Sequence, residues 1–287
     1  MVKSEIVFEI MNNFGLHELV ESMSEQGDIA CTVCSSADAQ EMITLFDQSK
    51  IMLCKNCKNA FTRPKPKLHD YSSEDFQAGQ GDTDRLTHLE DLPEEIKISY
   101  GLQLAMITKN IPKGSTVLEI GGGEGIFLEM VKRQGYEVEL IEPSVSASHR
   151  AAKRGLNVQN DYFQNVSFSK KYSLICMAHV LEHVDYPMNV IHQIKQLLTP
   201  NGFILLAQTN FRGFMPLLLK ANWYAWVPDQ HFTHFSLAGL KYLAKKSSLS
   251  VSTYQYSRLV HGSSIYHQTI KYIPFLQDQI HILLKMK

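Results

Sequence analysis

The chain has 287 residues, of which 44% are hydrophobic and 20% are charged, and its formal net charge is −1. This length accommodates one large core with a small additional module, and the near-neutral charge does not indicate a nucleic-acid-binding protein, which usually carries a clear basic excess. Residues 1–25 carry charges throughout, unlike a signal peptide, and no apolar run reaches the roughly 18 residues of a membrane span. We therefore expect a cytoplasmic protein with no membrane partner.

Residues 1–67 are predicted to form an N-terminal helix followed by a zinc ribbon. Apolar residues recur at helical spacing over 4–23. The pairs Cys31-x-x-Cys34 and Cys54-x-x-Cys57 follow, separated by nineteen residues. Two such pairs supply four thiolates around one tetrahedral Zn²⁺ and leave no open position, so the ion is expected to be structural. On this basis, replacing Cys31 and Cys54 by Ser should unfold the front module and leave the main domain folded.

Basic residues near the cysteine pairs allow two interpretations. One is charge balance, because Zn²⁺ with four thiolates carries a net formal charge of about −2. The other is a phosphate-binding patch for a nucleotide-linked substrate or RNA. Sparse aromatic and arginine content favours charge balance. The basic residues are Lys50, Lys55, Lys58, Arg63, Lys65 and Lys67.

Residues 68–110 are predicted to form an arm or lid and a helix that leads into the main domain. The part over 70–95 is acidic and polar, with Gly79 and Gly81 near its middle. The prolines at 64 and 66 precede it as a stiff break, because each fixes its own φ and restricts the residue before it. Residues 96–110 have a helical pattern.

From residue 116 onward, predicted strands and helices alternate, which is typical of a parallel sheet with helices on both faces. We predict an α/β fold for 111–287, with a doubly wound, mostly parallel seven-stranded sheet and a substrate insertion at 209–235. A hairpin of 251–256 and 265–270 would close the sheet. Helical ends over 4–23 and 274–287 could pack on the core or form a homodimer. The other predicted strands are 117–120, 137–141, 156–159, 172–178 and 203–208, and the predicted helices are 126–133, 145–154, 188–198 and 237–245.

A glycine-rich loop, Glu119-Ile120-Gly121-Gly122-Gly123-Glu124-Gly125, lies between the first strand and the first helix of this domain. Open α/β sheets bind ligands at this position. Gly121 and Gly123 let the backbone approach a ligand, and Gly125 allows a tight helix start. Glu142, at the end of the next strand, can accept both hydroxyls of a ribose.

A dinucleotide-binding loop is the main alternative, and the spacing argues against it. That loop requires G-x-G-x-x-G, whereas residue 126 is Ile. Glu119 and Glu124 flank the loop, and two carboxylates would repel a pyrophosphate. A cationic ligand such as the sulfonium and amino groups of S-adenosylmethionine fits better.

Residues 116–208 resemble the class I S-adenosylmethionine-dependent methyltransferases. Residues 117–125 are similar to their first motif, 172–184 to their fourth-strand motif with its LEHV ending, and 197–203 to the turn before their fifth strand. The resemblance implies S-adenosylmethionine as cofactor, with its adenine amine near Asp161, which could equally be a turn residue. The residues assigned to the cofactor are Glu119, Gly121, Gly123, Gly125, Glu142, Asp161, Ala178 and His179.

An aromatic stretch at 223–235 lies where methyltransferases place substrate-binding insertions. Trp223, Tyr224 and Trp226 could contact a small organic ligand, or the tryptophans could cap the core. Residues 229–236, Asp-Gln-His-Phe-Thr-His-Phe-Ser, resemble the H-E-H-l-x-Y-F-S stretch of sugar C-methyltransferases. That resemblance makes His231 a candidate base, while His234 stands in place of a tyrosine.

Methyl transfer needs orientation and, for many acceptors, a base. A neutral histidine can take that role near pH 7. His231, His179 and His234 are therefore the candidate catalytic residues, and the expected substrate is a small molecule such as a nucleotide-linked sugar or another secondary metabolite. Two alternatives remain open: an RNA or protein methyltransferase that docks through the ribbon, and a non-catalytic scaffold with a methyltransferase-like fold.

Overall fold

A computed structural model of the protein describes residues 30–72, 88–257 and 278–287. These residues form one seven-stranded sheet and one four-stranded sheet. The predicted α/β fold with a mostly parallel seven-stranded sheet is confirmed. The helix predicted at 4–23 and the strand predicted at 265–270 lie outside the described residues.

The described strands and helices are numbered in chain order. The strands are β1 (Ala39–Thr44), β2 (Lys50–Cys54), β3 (Ala60–Arg63), β4 (Thr116–Ile120), β5 (Glu137–Ile141), β6 (Asn157–Gln159), β7 (Tyr172–Ala178), β8 (Leu198–Thr209), β9 (Thr233–His234), β10 (Leu249–Ser257) and β11 (Gln279–Met286). The α-helices are α1 (Glu94–Asn110), α2 (Ile126–Arg133), α3 (Val145–Lys153), α4 (Pro187–Gln196), α5 (Phe214–Leu219) and α6 (Leu237–Lys246).

The large sheet has the strand order β10-β11-β8-β7-β4-β5-β6. The five strands from β8 to β6 are parallel, and β11 is antiparallel to both of its neighbours. Separate hydrophobic cores cover the two faces, one with α4 and α6 and the other with α1, α2 and α3. Strand order reverses between β4 and β7, so the carboxyl ends of these strands border the crevice where such sheets bind ligands.

The prediction of a helix over 274–287 is wrong for its described part, because residues 279–286 form β11. This strand pairs with β8 on one side and with β10 on the other. Ile280 and Ile282 pack in one core and Leu283 packs in the other. A strand buried on both faces reads as a continuous apolar run, which period alone does not distinguish from a buried helix.

The small sheet joins the cysteine module to the predicted substrate insertion. Its order is β1-β2-β3-β9, and β9 lies within the aromatic stretch of 223–235. Cys31, Cys54 and Cys57 also lie in the same hydrophobic core as α4 and α6. The front module is therefore packed as part of the main fold. No helix within the described ranges is both long enough and apolar enough to cross a bilayer.

Candidate functional site

A cavity of about 560 Å³ opens at the carboxyl ends of β4, β5 and β7. Its volume is in the range of small-molecule and cofactor sites, roughly 300–1,000 Å³. One wall consists of the glycine loop and the end of β5. The opposite wall comes from residues 68–71 of the predicted arm and from the segment between β7 and α4. The residues of the first wall are Ile120, Gly121, Gly123, Glu124, Ile141, Glu142, Pro143 and Ser144.

The glycine loop has a backbone that only glycine adopts easily. Gly121, Gly123 and Gly125 have φ values of +69°, +55° and +74°. A Cβ on Gly121 would lie 2.5 Å from Cγ2 of Val180, and one on Gly125 would lie 2.3 Å from Cδ1 of Leu156. Because glycine has no Cβ, the loop can pack closely against Val180 in the cavity wall at Gly121, and the start of α2 can pack closely against Leu156 at Gly125. Gly121 and Gly123 line the cavity, whereas Gly125 lies outside its lining.

Glu142 is buried in the cavity wall and holds the glycine loop in place. Its Oε2 accepts a hydrogen bond from the Gly123 N–H at 2.8 Å, and its Oε1 accepts one from the Ser144 N–H at 2.9 Å. Burial raises the pKa of Glu142, and these two hydrogen bonds oppose the shift. Each carboxylate oxygen retains a second lone pair, so the group can still accept ribose hydroxyls.

Glu119 lies beneath the loop and does not line the cavity. Its carboxyl carbon would be 2.6 Å from a Cβ on Gly122, so the loop covers it closely. Its Oε2 has no hydrogen-bond partner among the described residues. Burial, reinforced by the charge of Glu142, raises the pKa of Glu119 to about 8. Glu119 therefore remains mostly protonated near neutral pH.

This protonated carboxyl predicts a specific pH dependence of stability. The pKa of Glu119 is higher in the folded protein than in the unfolded chain. The stability that its protonated carboxyl contributes is therefore fully present below the pKa of the unfolded chain and is lost as pH rises toward 8. In urea unfolding, we expect Glu119→Gln to remove roughly 3 kcal/mol of destabilisation that develops between pH 5 and 8. Glu137, an exposed carboxylate at the start of β5, provides the control variant Glu137→Gln. Parallel pH curves for wild type and Glu119→Gln would contradict the prediction.

Asp161 and Ala178 do not line the cavity, although both were predicted to contact the cofactor. Oδ1 of Asp161 accepts hydrogen bonds from the Tyr162 N–H and from Nδ2 of Asn165, each at 2.7 Å. Asp161 therefore acts as a turn residue, which was the alternative to adenine binding in the sequence analysis. Tyr162 and Phe163 line the cavity in this region instead.

His179 lines the cavity, but both of its ring nitrogens are engaged. Nδ1 lies 3.3 Å from Oε1 of Glu182, and Nε2 lies 2.6 Å from Nε2 of Gln279. Ser257 donates its hydroxyl proton to Oε1 of Gln279, which turns the amide nitrogen toward His179. The amide therefore donates to Nε2, and Nδ1 carries the proton and donates to Glu182. No lone pair of His179 is left open toward an acceptor.

His183 faces the cavity, and its Nδ1 is reached from there through the hydroxyl of Tyr71. The Tyr71 hydroxyl donates to its Nδ1 at 2.8 Å, and both residues line the cavity. Burial lowers the pKa of His183 to about 4, so the ring is neutral at pH 7. The fourth-strand motif of 172–184 contains His183, but His183 was not among the candidate catalytic residues predicted from the sequence. Tyr71 lay in the predicted arm with no feature that marked it.

His231 packs directly behind His183, with ring centroids 4.7 Å apart. Nδ1 of His231 donates to the Ala225 carbonyl at 3.0 Å, which leaves Nε2 as an acceptor. Side-chain atoms of His183, His231 and Glu182 lie within 4.8 Å of one another. Burial alone would raise the pKa of Glu182, but its hydrogen bond with His179 and its charge interactions with the histidines hold that pKa below the ordinary value. The cluster thus places a buried carboxylate beside two neutral imidazoles.

His234 and the tryptophans pack away from the cavity. Burial lowers the pKa of His234 well below its ordinary value, and its Nε2 lies 3.0 Å from Oγ1 of Thr62. Trp223 and Trp226 pack against Leu45 and Ile51 of the front module, as in the core-cap interpretation. Tyr224 is partly exposed and donates to Asp278. The cavity wall near His183 consists instead of Leu68, His69, Tyr71, Phe163, Val184, Asp185 and Tyr186.

The four predicted cysteine ligands meet at one point. Their sulfur atoms lie within 4.8 Å of one another, and the pairs Cys31–Cys57 and Cys34–Cys54 are each 3.5 Å apart. Tetrahedral coordination with Zn–S bonds of about 2.3 Å requires S···S distances near ~3.8 Å. The arrangement therefore suits one four-coordinate Zn²⁺.

Comparison with known proteins agrees with this architecture. A family model described as "Methyltransferase domain" matches residues 88–253. The ubiquinone biosynthesis O-methyltransferase of Actinobacillus pleuropneumoniae serotype 5b is 30% identical in an alignment of 124 residues that covers 38% of this chain and 53% of that protein. The protein of the same name from Salmonella paratyphi A is 31% identical over 35% of this chain and 45% of its own length. The chain thus spans about half the length of the curated relatives it matches.

Solved structures share the fold at low sequence identity. Magnesium protoporphyrin IX methyltransferase from Synechocystis PCC 6803 with bound S-adenosylhomocysteine aligns with a TM-score of 0.55 and 12% identity, over 76% of this chain and 96% of that one. The N-methyltransferase NodS from Bradyrhizobium japonicum WM9, also with S-adenosylhomocysteine, aligns with a TM-score of 0.54 and 14% identity, over 76% of this chain and 99% of that one. The family match covers more than half of the chain, and the sheet, glycine loop and buried Glu142 agree with it, so this chain belongs to the S-adenosylmethionine-dependent methyltransferase family.

Proposed function

We propose that this protein transfers a methyl group from S-adenosylmethionine to a small-molecule acceptor in the cavity described above. One observation carries the proposal: a single cavity is lined both by the glycine loop with Glu142 and by His183 with Tyr71. A cofactor held on the first wall and an acceptor held on the second would share one enclosed space. Transfer needs such proximity more than it needs further chemistry from the protein.

The first wall of the cavity, with the glycine loop and Glu142, is the proposed cofactor wall, and it fits S-adenosylmethionine in charge and shape. When bound, that cofactor supplies an activated methyl group with a thioether as leaving group. Glu142 would accept the ribose hydroxyls, and the backbone of Gly121 and Gly123 would lie along the methionine part. The apolar side chains of Ile141 and Val180, both in the lining, suit an adenine ring.

The opposite wall, with His183 and Tyr71, is the proposed acceptor wall, and it favours a compact, largely apolar molecule. Of the described lining residues, Arg150 is the only Arg or Lys, and its Nε lies 2.8 Å from Oε1 of Glu124. A diphosphate would find little positive charge there. The relatives are named O-methyltransferases of ubiquinone biosynthesis. We therefore place a small hydroxylated acceptor first and a nucleotide-linked sugar second.

The proposed base is His183, supported by His231 and Glu182. As the acceptor oxygen forms its bond to the methyl carbon and the carbon–sulfur bond breaks, the acceptor's hydroxyl proton would pass to the Tyr71 oxygen, and Tyr71 would give its own hydroxyl proton to Nδ1 of His183. The Tyr71 hydroxyl already lies 2.8 Å from that nitrogen, which supports this proton path. The nearby Glu182 carboxylate would stabilise the imidazolium that forms. His231, which was predicted from the sequence as a base, would instead support the His183 ring by packing behind it.

Calorimetric titration with S-adenosylmethionine, and separately with NAD, tests the cofactor assignment. We expect the sulfonium ligand to bind and NAD not to bind. Replacing Glu142 by Ala removes both the ribose acceptor and the Gly123 hydrogen bond. We expect affinity to fall at least about tenfold, which corresponds to about 1.4 kcal/mol. Glu142→Gln keeps one acceptor oxygen and should lose less. Unchanged affinity in Glu142→Ala, or tight NAD binding, would overturn the assignment.

We further propose that the four cysteines bind one structural Zn²⁺ as a zinc ribbon. The sulfur geometry supports this assignment, and a closed four-thiolate site has no position for a reacting molecule. Metal analysis of the purified protein should give about one zinc per chain. A chain that folds fully with no bound metal would contradict it.

A further inference from the structure

Thr62 of β3 connects the front module to the backbone of the proposed histidine pair. Its hydroxyl donates to the His231 carbonyl at 2.6 Å, and its N–H donates to the Phe232 carbonyl at 3.2 Å. Since that hydroxyl proton is already used, Oγ1 accepts from Nε2–H of His234 at 3.0 Å. Thr62 is fully buried, so water cannot replace these contacts.

The ends of the same segment are also attached to the front module. Near one end, the hydroxyls of Thr32 and Thr233 lie 2.6 Å apart, and Thr32 is next to Cys31. At the other end, the Ser236 hydroxyl donates to the Lys58 carbonyl at 2.8 Å, one residue after Cys57. Residues 231–236 are therefore held along their length by three residues of the front module, of which Thr32 and Lys58 are next to cysteines.

We propose that Thr62 is a positioning residue for methyl transfer: it holds the backbone of His231 so that its ring supports His183. The cysteine module is then part of the acceptor site rather than an appended unit. This inference rests on the proposed function, because it assigns a role to the histidine pair.

The reason is geometric. His231 is held at two points. Its backbone carbonyl accepts a hydrogen bond from the Thr62 hydroxyl, and its ring Nδ1 donates one to the Ala225 carbonyl. Loss of the first contact would leave a buried carbonyl without a donor, and the segment would shift to restore hydration. The ring would then leave its place against His183 and become more exposed. The titratable groups that face His231 are Glu182, His183, His179, His234 and Asp229.

Histidine NMR on the full-length protein tests this role without knowledge of the acceptor. The protein is labelled with ¹⁵N-histidine, and the His231 signals are assigned by their absence in His231→Gln. In Thr62→Val we expect the His231 pKa to rise by at least about one pH unit as the ring gains water, with loss of the single Nδ1–H tautomer. Thr62→Ser keeps the hydroxyl and should restore the wild-type titration.

Thr32→Val is the matched control, because it removes a buried threonine hydroxyl from the same interface without touching His231. All variants are compared at equal zinc content and equal affinity for S-adenosylhomocysteine. A wild-type His231 titration in Thr62→Val, together with a loss of stability like that of Thr32→Val, would show a purely structural role and overturn the proposal. If Thr62→Val does not fold, Thr62→Cys, a weaker donor, should give a smaller rise, and no rise would overturn it.

The positioning role of Thr62 and the proposed base can fail independently of each other. If His183→Gln retains full turnover, the base assignment fails, even if Thr62 controls the His231 titration. If His183→Gln loses turnover and Thr62→Val leaves His231 unchanged, only the positioning role fails.

Discussion

Replacing His183 by Gln is expected to lower kcat by about 10²- to 10⁴-fold, the usual contribution of a general base. Gln keeps a polar side chain of similar reach but cannot take up a proton. Nδ1 of His183 is reached from the acceptor wall through the Tyr71 hydroxyl, whereas both nitrogens of His179 are engaged and His234 packs away from the cavity. The measurement is S-adenosylhomocysteine formation with a panel of small hydroxylated aromatic acceptors.

The pH dependence of turnover has a defined direction. Burial lowers the pKa of His183 to about 4, and the base must be neutral to accept a proton. Wild-type kcat should therefore stay level from about pH 8 to about pH 5 and fall only as pH approaches that pKa. His192→Gln, on the exposed face of α4, is the control and should behave as wild type. Turnover by His183→Gln within about threefold of wild type would reject His183 as the base.

Replacing Cys31 and Cys54 together by Ser should release the proposed Zn²⁺ and destabilise the whole protein by about 5 kcal/mol or more. The sequence alone predicted that only the front module would unfold. The structure changes that expectation, because β3 pairs with β9 and the cysteines share a core with α4 and α6. We expect one cooperative unfolding transition in which ribbon and catalytic domain are lost together.

Calorimetry, metal analysis and tryptophan fluorescence together check this prediction. Trp223 and Trp226 pack against the front module and report on its integrity. Cys176→Ala is the control, because that thiol is buried in β7 away from the other four and should leave zinc content unchanged. Two separate transitions in the double Ser variant, with the second at the wild-type temperature, would show that the module folds independently.

The features determined by sequence are those that depend on neighbours along the chain. The helix over 126–133 was predicted with its observed bounds, and the strands β4, β5 and β7 closely, because hydrophobic period and turn residues are local signals. The glycine loop and Glu142 were identified for the same reason: the loop geometry needs glycines at fixed spacing, and the acid ends the next strand. Both line the cavity at the switch point of the sheet.

Only the tertiary structure decided which distant residues share the acceptor wall. Tyr71, His183 and His231 lie in three separate segments, and no spacing rule connects them. The pairing of β3 with β9 and the position of β11 between β8 and β10 are likewise non-local. A histidine or an apolar run has the same local pattern whether it lines a cavity, caps a core or completes a sheet. Its role depends on which buried partners the fold brings within hydrogen-bonding distance.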